Sequence, residues 1–177
     1  MRQRLVMLSI AALLTASCTG VPNGVQPVTD FDVNRYLGKW YEIERLDHSF
    51  ERGLTNVSAE YSGRDDGAIN VVNRGYDESS GKWKQVRGKA YFIGDNTVGS
   101  LKVSFFGPFY GGYHILVLDK QNYAYSMVCG PNRSYLWILA REKKLDDRIL
   151  SDLKAKARQW GFDTDKLIFV KQDREEG

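Results

Sequence analysis

Between Trp40 and Arg141 the chain alternates apolar and polar residues with period two in eight consecutive stretches. They lie at about 39–47, 54–62, 67–76, 83–93, 98–106, 111–119, 122–129 and 134–141. Such alternation marks strands with one buried face. Turn formers such as Arg64-Asp65-Asp66-Gly67, Glu78-Ser79-Ser80-Gly81 and Gly130-Pro131-Asn132-Arg133 separate the stretches, which reads as an up-and-down antiparallel sheet. Eight strands remove their exposed edges either as a sandwich or as a closed barrel.

Two residues favour the barrel. Trp40, in Gly38-Lys39-Trp40-Tyr41, heads the first strand, and Arg141 ends the last. An indole packs under that guanidinium, a contact contributing about 0.5–2 kcal/mol, only if first and last strands are neighbours. After Arg141 the period changes: Leu145, Ile149, Leu153, Ala157 and Trp160 recur at helical spacing, with Asp146 or Asp147 to cap the start and Gly161 to stop the run. The expected fold is therefore all-β: an eight-stranded antiparallel up-and-down β-barrel, one C-terminal α-helix packed outside it, and a short strand at Leu167 to Val170. A barrel of eight strands is just wide enough to hold one small ligand.

The N-terminus reads as a targeting segment. Arg2 and Arg4 precede an apolar run, Leu5 to Leu14, too short to span a bilayer, and Thr15-Ala16-Ser17 offers a small-residue cleavage site. Export follows. Cys18 comes next, before the turn-rich stretch Thr19 to Thr29, and the arrangement resembles a bacterial lipoprotein lipobox, in which the cysteine is lipidated. The alternative is an ordinary secretory signal with a stray cysteine. Residues 1–17 are thus expected to be a lipoprotein signal peptide, 18–30 a lipid-anchored linker and 31–172 the folded domain.

With 42% hydrophobic and 27% charged residues, 177 residues suit one soluble domain. Without Arg2 and Arg4 the chain carries 23 basic against 22 acidic residues, so electrostatics give no case for nucleic acid. If Cys18 is lipidated, Cys129 has no partner for an intrachain disulfide. The two histidines, His48 in a loop and His114 with outward parity, neither activate a nucleophile nor make a metal site, and Cys129 also falls outward; no catalytic residue, metal or cofactor is expected.

The chain resembles the lipocalins, and more closely the bacterial outer-membrane lipoproteins of the Blc type. Gly38-Lys39-Trp40 matches their Gly-x-Trp motif, and Arg141 the arginine closing their last barrel strand. Lys102-Val103-Ser104-Phe105-Phe106-Gly107-Pro108-Phe109-Tyr110-Gly111-Gly112-Tyr113 is similar to the bacterial subgroup's own stretch. Asp119-Lys120-Gln121-Asn122-Tyr123 stands where the family has a Thr-Asp-Tyr-like turn. The resemblance implies Gly38, Trp40 and Arg141 as the closed barrel end and, with Thr19 rather than Asp after Cys18, a lipid-anchored protein of the bacterial outer membrane.

Parity assigns the lining. If Trp40 faces inward, so do Tyr135, Trp137 and Leu139, while Leu136, Ile138 and Ala140 face the helix. With the family pattern as guide, the ligand-binding wall comprises Ala59, Tyr61, Val71, Asn73, Ala90, Val103, Phe105, Tyr113, Ile115, Val117, Ser126, Tyr135 and Trp137. Ala59, Gly88, Ala90 and Ser126 are small enough to leave a cavity; the alternative is a barrel filled by its own side chains. The loop from Phe106 to Gly112 belongs at the open mouth, with Tyr110 and Tyr113 able to meet a carboxylate or phosphate and Phe109 to touch chain or membrane. Glu42 and Glu44 share the parity of Trp40, which requires either an inward base such as Arg141 or a bulge in strand one.

The function expected from this wall and from the resemblance is binding and storage or transport of lipids, fatty acids or lysophospholipids, and the resemblance implies a role in envelope maintenance under stress. A lipid-modifying enzyme on the same scaffold and an envelope structural or interaction protein are the alternatives. Expected partners are a small lipid ligand and the membrane; a homodimer is compatible with the pattern.

Overall fold

The computed structural model describes residues 19–175; the expected signal peptide and Cys18 lie outside the described residues. A short helix, α1 (Val33–Tyr36), precedes eight strands: β1 (Gly38–Leu46), β2 (Leu54–Gly63), β3 (Ile69–Asp77), β4 (Lys82–Phe92), β5 (Ser100–Phe106), β6 (Phe109–Leu118), β7 (Tyr125–Cys129) and β8 (Leu136–Ala140). Helix α2 (Asp147–Gln159) and a ninth strand, β9 (Leu167–Phe169), follow. Neighbouring strands pair antiparallel, and β1 pairs with both β2 and β8, so the sheet closes into the expected barrel; β9 adds to β1 from outside.

The closed end is built as the sequence implies. The guanidinium of Arg141 lies 4.0 Å from the centre of the Trp40 ring and donates to the carbonyls of Lys39 and Arg35 at 2.9 and 2.8 Å. Trp40 donates its indole N–H to Tyr36 O at 2.8 Å, which seats α1 as a plug. Gly38 is required here: its φ is +94°, and a Cβ would stand 3.3 Å from Arg141 Nη1. Asp119 accepts from the backbone of Gln121 and Ala124, so the Asp119–Tyr123 turn is closed by its own side chain.

Asp146 caps α2 by accepting from the N–H groups of Arg148 and Ile149, and Gly161, at φ +80°, ends the run. The buried Leu153 and Ala157 of α2 pack on Met127, Leu136 and Ile138, the outward face of β7 and β8, as parity requires.

Four bulges break period two, one of them in β5 between Val103 and Phe106. Glu42 opposes Leu139 but Glu44 opposes Ile138, leaving Ile43 as the extra residue. Glu42 therefore stays inward, while Glu44 turns outward to Lys154 of α2 at 2.9 Å. This settles the pair of carboxylates in favour of a bulge. A second bulge at Asn56, φ +52°, lets its buried side chain accept from Arg174 N and hold the C-terminal segment. The third, at Leu116, puts Val117 opposite the outward Met127. Val117 thus packs outside with the helix layer and does not line the interior, contrary to the parity expectation.

The segment from Thr19 to Asp30 is not a free linker. His114 donates from Nε2 to Gly20 O at 2.9 Å while its Nδ1 accepts from Ser100 Oγ. Val25 is buried in the outer core, and Val28 N donates to Ile115 O at 2.8 Å.

Candidate functional site

The barrel interior divides into a packed floor and an open cup. In the floor, Tyr36, Tyr61 and Tyr113 converge: the Tyr113 hydroxyl lies 2.8 Å from that of Tyr36 and 2.9 Å from that of Tyr61, and Tyr36 also reaches Ser126 Oγ at 3.2 Å. Burial pushes the Tyr36 phenol up to about 12 and the other two well above their ordinary value. All three are neutral hydrogen-bonding groups. Val71, Ala90 and Ile115 fill the space around them, leaving a cavity of about 10 Å³, room for one water at most. Of the expected lining, Tyr61, Val71, Ala90, Tyr113, Ile115 and Ser126 therefore lie in or against this floor. Tyr113 is not at the mouth.

Above the floor the inward wall is open to solvent. Ala59, Asn73, Val103, Phe105, Tyr135 and Trp137 are each only partly buried although they point into the barrel, and Val86 is 42% exposed. Gly111 faces inward beside Val103, and a Cβ there would meet no atom within 4 Å. At Gly88 the space is taken: a Cβ would stand 2.7 Å from the Phe105 ring. The absent side chain there makes room for a phenyl group, not for a ligand.

One side of the cup carries charge. The bulge at Ile43 turns both Glu42 and Arg45 inward, and they pair at 2.7 Å with their side chains almost fully buried. Arg45 also donates to the carbonyls of Glu51 and Leu54 at 2.9 and 3.2 Å, tying down the loop from Asp47 to Gly53. Glu51 accepts the Trp137 indole N–H at 3.0 Å. His48, from the same loop, stacks on Phe50, Tyr135 and Trp137 with ring centres 4.8–5.2 Å apart. Burial, reinforced by the charge of Glu51, pushes the Glu42 carboxyl up to about 8 and burial likewise raises Glu51; burial and then Arg45 push His48 down to about 4. Arg45 Nε, His48 Nε2 and Asn73 Oδ1 are buried without a hydrogen-bond partner. Sequence reasoning missed Arg45, Glu51 and the inward role of His48: strand parity put Arg45 outside, and loop residues have no parity.

At the tip of the β5–β6 hairpin Phe106 and Phe109 are 76% and 78% exposed. Tyr110 turns to the outer face, over Lys102 at 5.0 Å and against Tyr91, so it does not serve the mouth. Cys129 is buried behind the outer wall, where burial pushes its thiol up to about 12. A polar groove of about 320 Å³ lies outside the barrel, between Lys39, Arg74 and the tail at Arg174 and Glu175. Its charged lining makes it unsuited to an acyl chain.

A plugged antiparallel barrel with an apolar, solvent-open cup defines a binding protein for small hydrophobic molecules, its chemistry set by the wall rather than by a reactive group. Residues 31–172 match the family described as Lipocalin-like domain, and the chain belongs to it. It is 53% identical to the outer membrane lipoprotein Blc of Vibrio cholerae, over 96% of this chain and 99% of that protein. It is 52% identical to the protein of the same name from Escherichia coli K12, over 95% and 96%. Among solved structures, insecticyanin from the tobacco hornworm superposes with a TM-score of 0.69 at 24% identity, covering 89% of this chain and 88% of that one, a likeness of fold.

Proposed function

We propose that this chain is a lipid carrier of the bacterial outer membrane, anchored through a lipidated Cys18 and holding the acyl chain of a fatty acid or lysophospholipid in the cup. The observation that carries this reading is the open inward wall above the tyrosine floor, from Gly111 and Val103 across to Ala59 and Trp137. The names of the two bacterial relatives support the location and the anchor.

Each buried methylene contributes about 0.8 kcal/mol, so the chain supplies most of the affinity and polar groups select the head. The Lys84–Asp77 pair at the rim provides charge of both signs, and Arg45, Glu42 and the free Asn73 Oδ1 add donors and acceptors inside the cup. Such a set suits a zwitterionic head group better than a bare carboxylate. His114 and Cys129, the residues an enzyme would recruit, are committed to holding Gly20 and to packing.

The test is mass spectrometry of lipid extracted from protein purified without detergent. Bound fatty acid or lysophospholipid, lost on Trp137→Arg, is the expected result; protein that carries none and takes up none when offered it overturns the reading.

A further inference from the structure

The exposed apolar side chains are not scattered. Among the described residues, the large hydrophobics that stand most open to solvent are Phe50, Val86, Phe106, Phe109, Ile168 and Phe169. All lie in the open half of the barrel: Phe50 in the loop over the mouth, Phe106 and Phe109 at a mouth hairpin, and Ile168 and Phe169 beside Arg45 and Glu44, near the mouth end of β1. The turns at the closed end carry Asp65, Asp66, Asp95 and Asn96 instead.

The start of the described chain lies in the same half. Thr19 lies against Gly112, where a Cβ would be 3.3 Å from its carbonyl carbon, and Gly20 is held by His114. Gly112 is three residues from Phe109 along β6, about 10 Å at strand rise. Asn23 is held by Arg133 of the β7–β8 loop, again at the mouth. Because the segment from Thr19 onward is bonded to the wall, it gives the anchor no leash. Cys18 is one peptide bond from Thr19, so a lipid carried there would enter the membrane beside the mouth.

We propose that the barrel docks mouth-down on the bilayer, with Phe50, Phe106 and Phe109 seated in the interfacial region next to the anchored Cys18. This rests on the lipid-anchor reading above. Aromatic side chains favour the head-group region of a bilayer, and the anchor, which itself supplies the attachment, leaves the rim to set orientation. A ligand then passes between bilayer and cup without its acyl chain crossing water.

The test uses full-length protein purified from the envelope and reconstituted into vesicles of phosphatidylethanolamine and phosphatidylglycerol. Nitroxide labels are placed through Ser49→Cys in the mouth loop and Asp65→Cys at the closed end; the native Cys129 is fully buried and does not compete. The expected result is protection of the label at 49 from an aqueous relaxation agent and full exposure at 65. Combining Ser49→Cys with Phe106→Ser and Phe109→Ser should abolish the protection at 49. Equal exposure at both positions, protection only at 65, or protection at 49 that persists without vesicles as a second copy covers the rim, overturns the proposal. The mass of the same sample separates this failure from that of the anchor. If Cys18 bears no lipid, vesicle flotation of the unanchored protein decides: flotation lost on the two Phe substitutions supports docking, and absence of flotation overturns it.

Discussion

Arg45 and Glu42, three residues apart on one strand, meet at 2.7 Å inside the barrel. In an unbroken strand that spacing puts two side chains on opposite faces; Ile43, the bulged residue, brings them to one. The pair also anchors the mouth loop, since Arg45 donates to Glu51 O and Leu54 O. Arg45→Met takes the hydrogen-bond donor away from the buried Glu42 carboxyl and from the carbonyls of Glu51 and Leu54, and the expected loss is about 3–5 kcal/mol in urea unfolding. Adding Glu42→Gln to that variant should recover part of the loss. Equal stability of the single and double variants would show that the unpaired Glu42 carboxyl is not the cause.

The Arg141–Trp40 contact belongs to the other end and should behave independently. Arg141→Met removes a cation–π contact and charge-assisted bonds to three carbonyls, though the guanidinium is partly exposed and water replaces some of this. Destabilisation of about 2 kcal/mol is expected, with affinity for a fluorescent fatty-acid probe unchanged. A parallel fall in probe affinity would mean that cup and plug are coupled.

Cup and floor can be told apart by two substitutions. Gly111→Leu projects into open space, so it should leave stability near that of the native protein while displacing about two methylenes of a bound chain, about 1.6 kcal/mol and about tenfold in probe affinity. Tyr113→Phe should do the reverse. It strips the hydroxyl that joins Tyr36 and Tyr61, costing about 1–3 kcal/mol of stability with probe affinity preserved. Probe titration and urea unfolding of both variants check the assignment; a stronger binding defect in Tyr113→Phe would place the ligand in the floor.

The parts of the fold legible in the sequence are those that depend on period and on motif. Eight alternating stretches gave the strands, Trp40 and Arg141 the closure, and Asp146 and Gly161 the limits of the helix. Illegible were the bulges. One added residue inverts every later position on a strand, and Ile43 and Leu116 look like ordinary strand residues. Hence unbroken alternation would turn Arg45 outward although it faces in, and it turns Val117 inward although it faces out. The cup was misjudged in depth for a different reason: alternation fixes the direction of Tyr61 and Tyr113 but not how far a phenol reaches, and the two meet over Tyr36 to raise the floor. The course of Thr19 to Val28 along the wall depends on single bonds to His114 and Ile115, which no local pattern announces.

The charged side of the cup makes stability depend on pH in a way that can be derived. The Glu42 carboxyl, pushed up from 4.5 to about 8, keeps its proton in the folded state while the unfolded chain has lost it; its contribution is complete below about 4.5 and is lost as pH rises through 8. His48, pushed down from 6.5 to about 4, works oppositely: its contribution is complete above about 6.5 and is lost as pH falls through 4. Between 4.5 and 6.5 the two slopes oppose each other. Between 6.5 and 8 the His48 contribution is constant, so Glu42 makes unfolding free energy fall with rising pH by up to about 1.4 kcal/mol per unit. Glu51, raised in the same direction by burial, adds to that slope rather than opposing it. Urea unfolding across this window should give a falling line for the native protein and a shallower one for Glu42→Gln. Identical lines would show that Glu42 is ionised throughout, held so by Arg45.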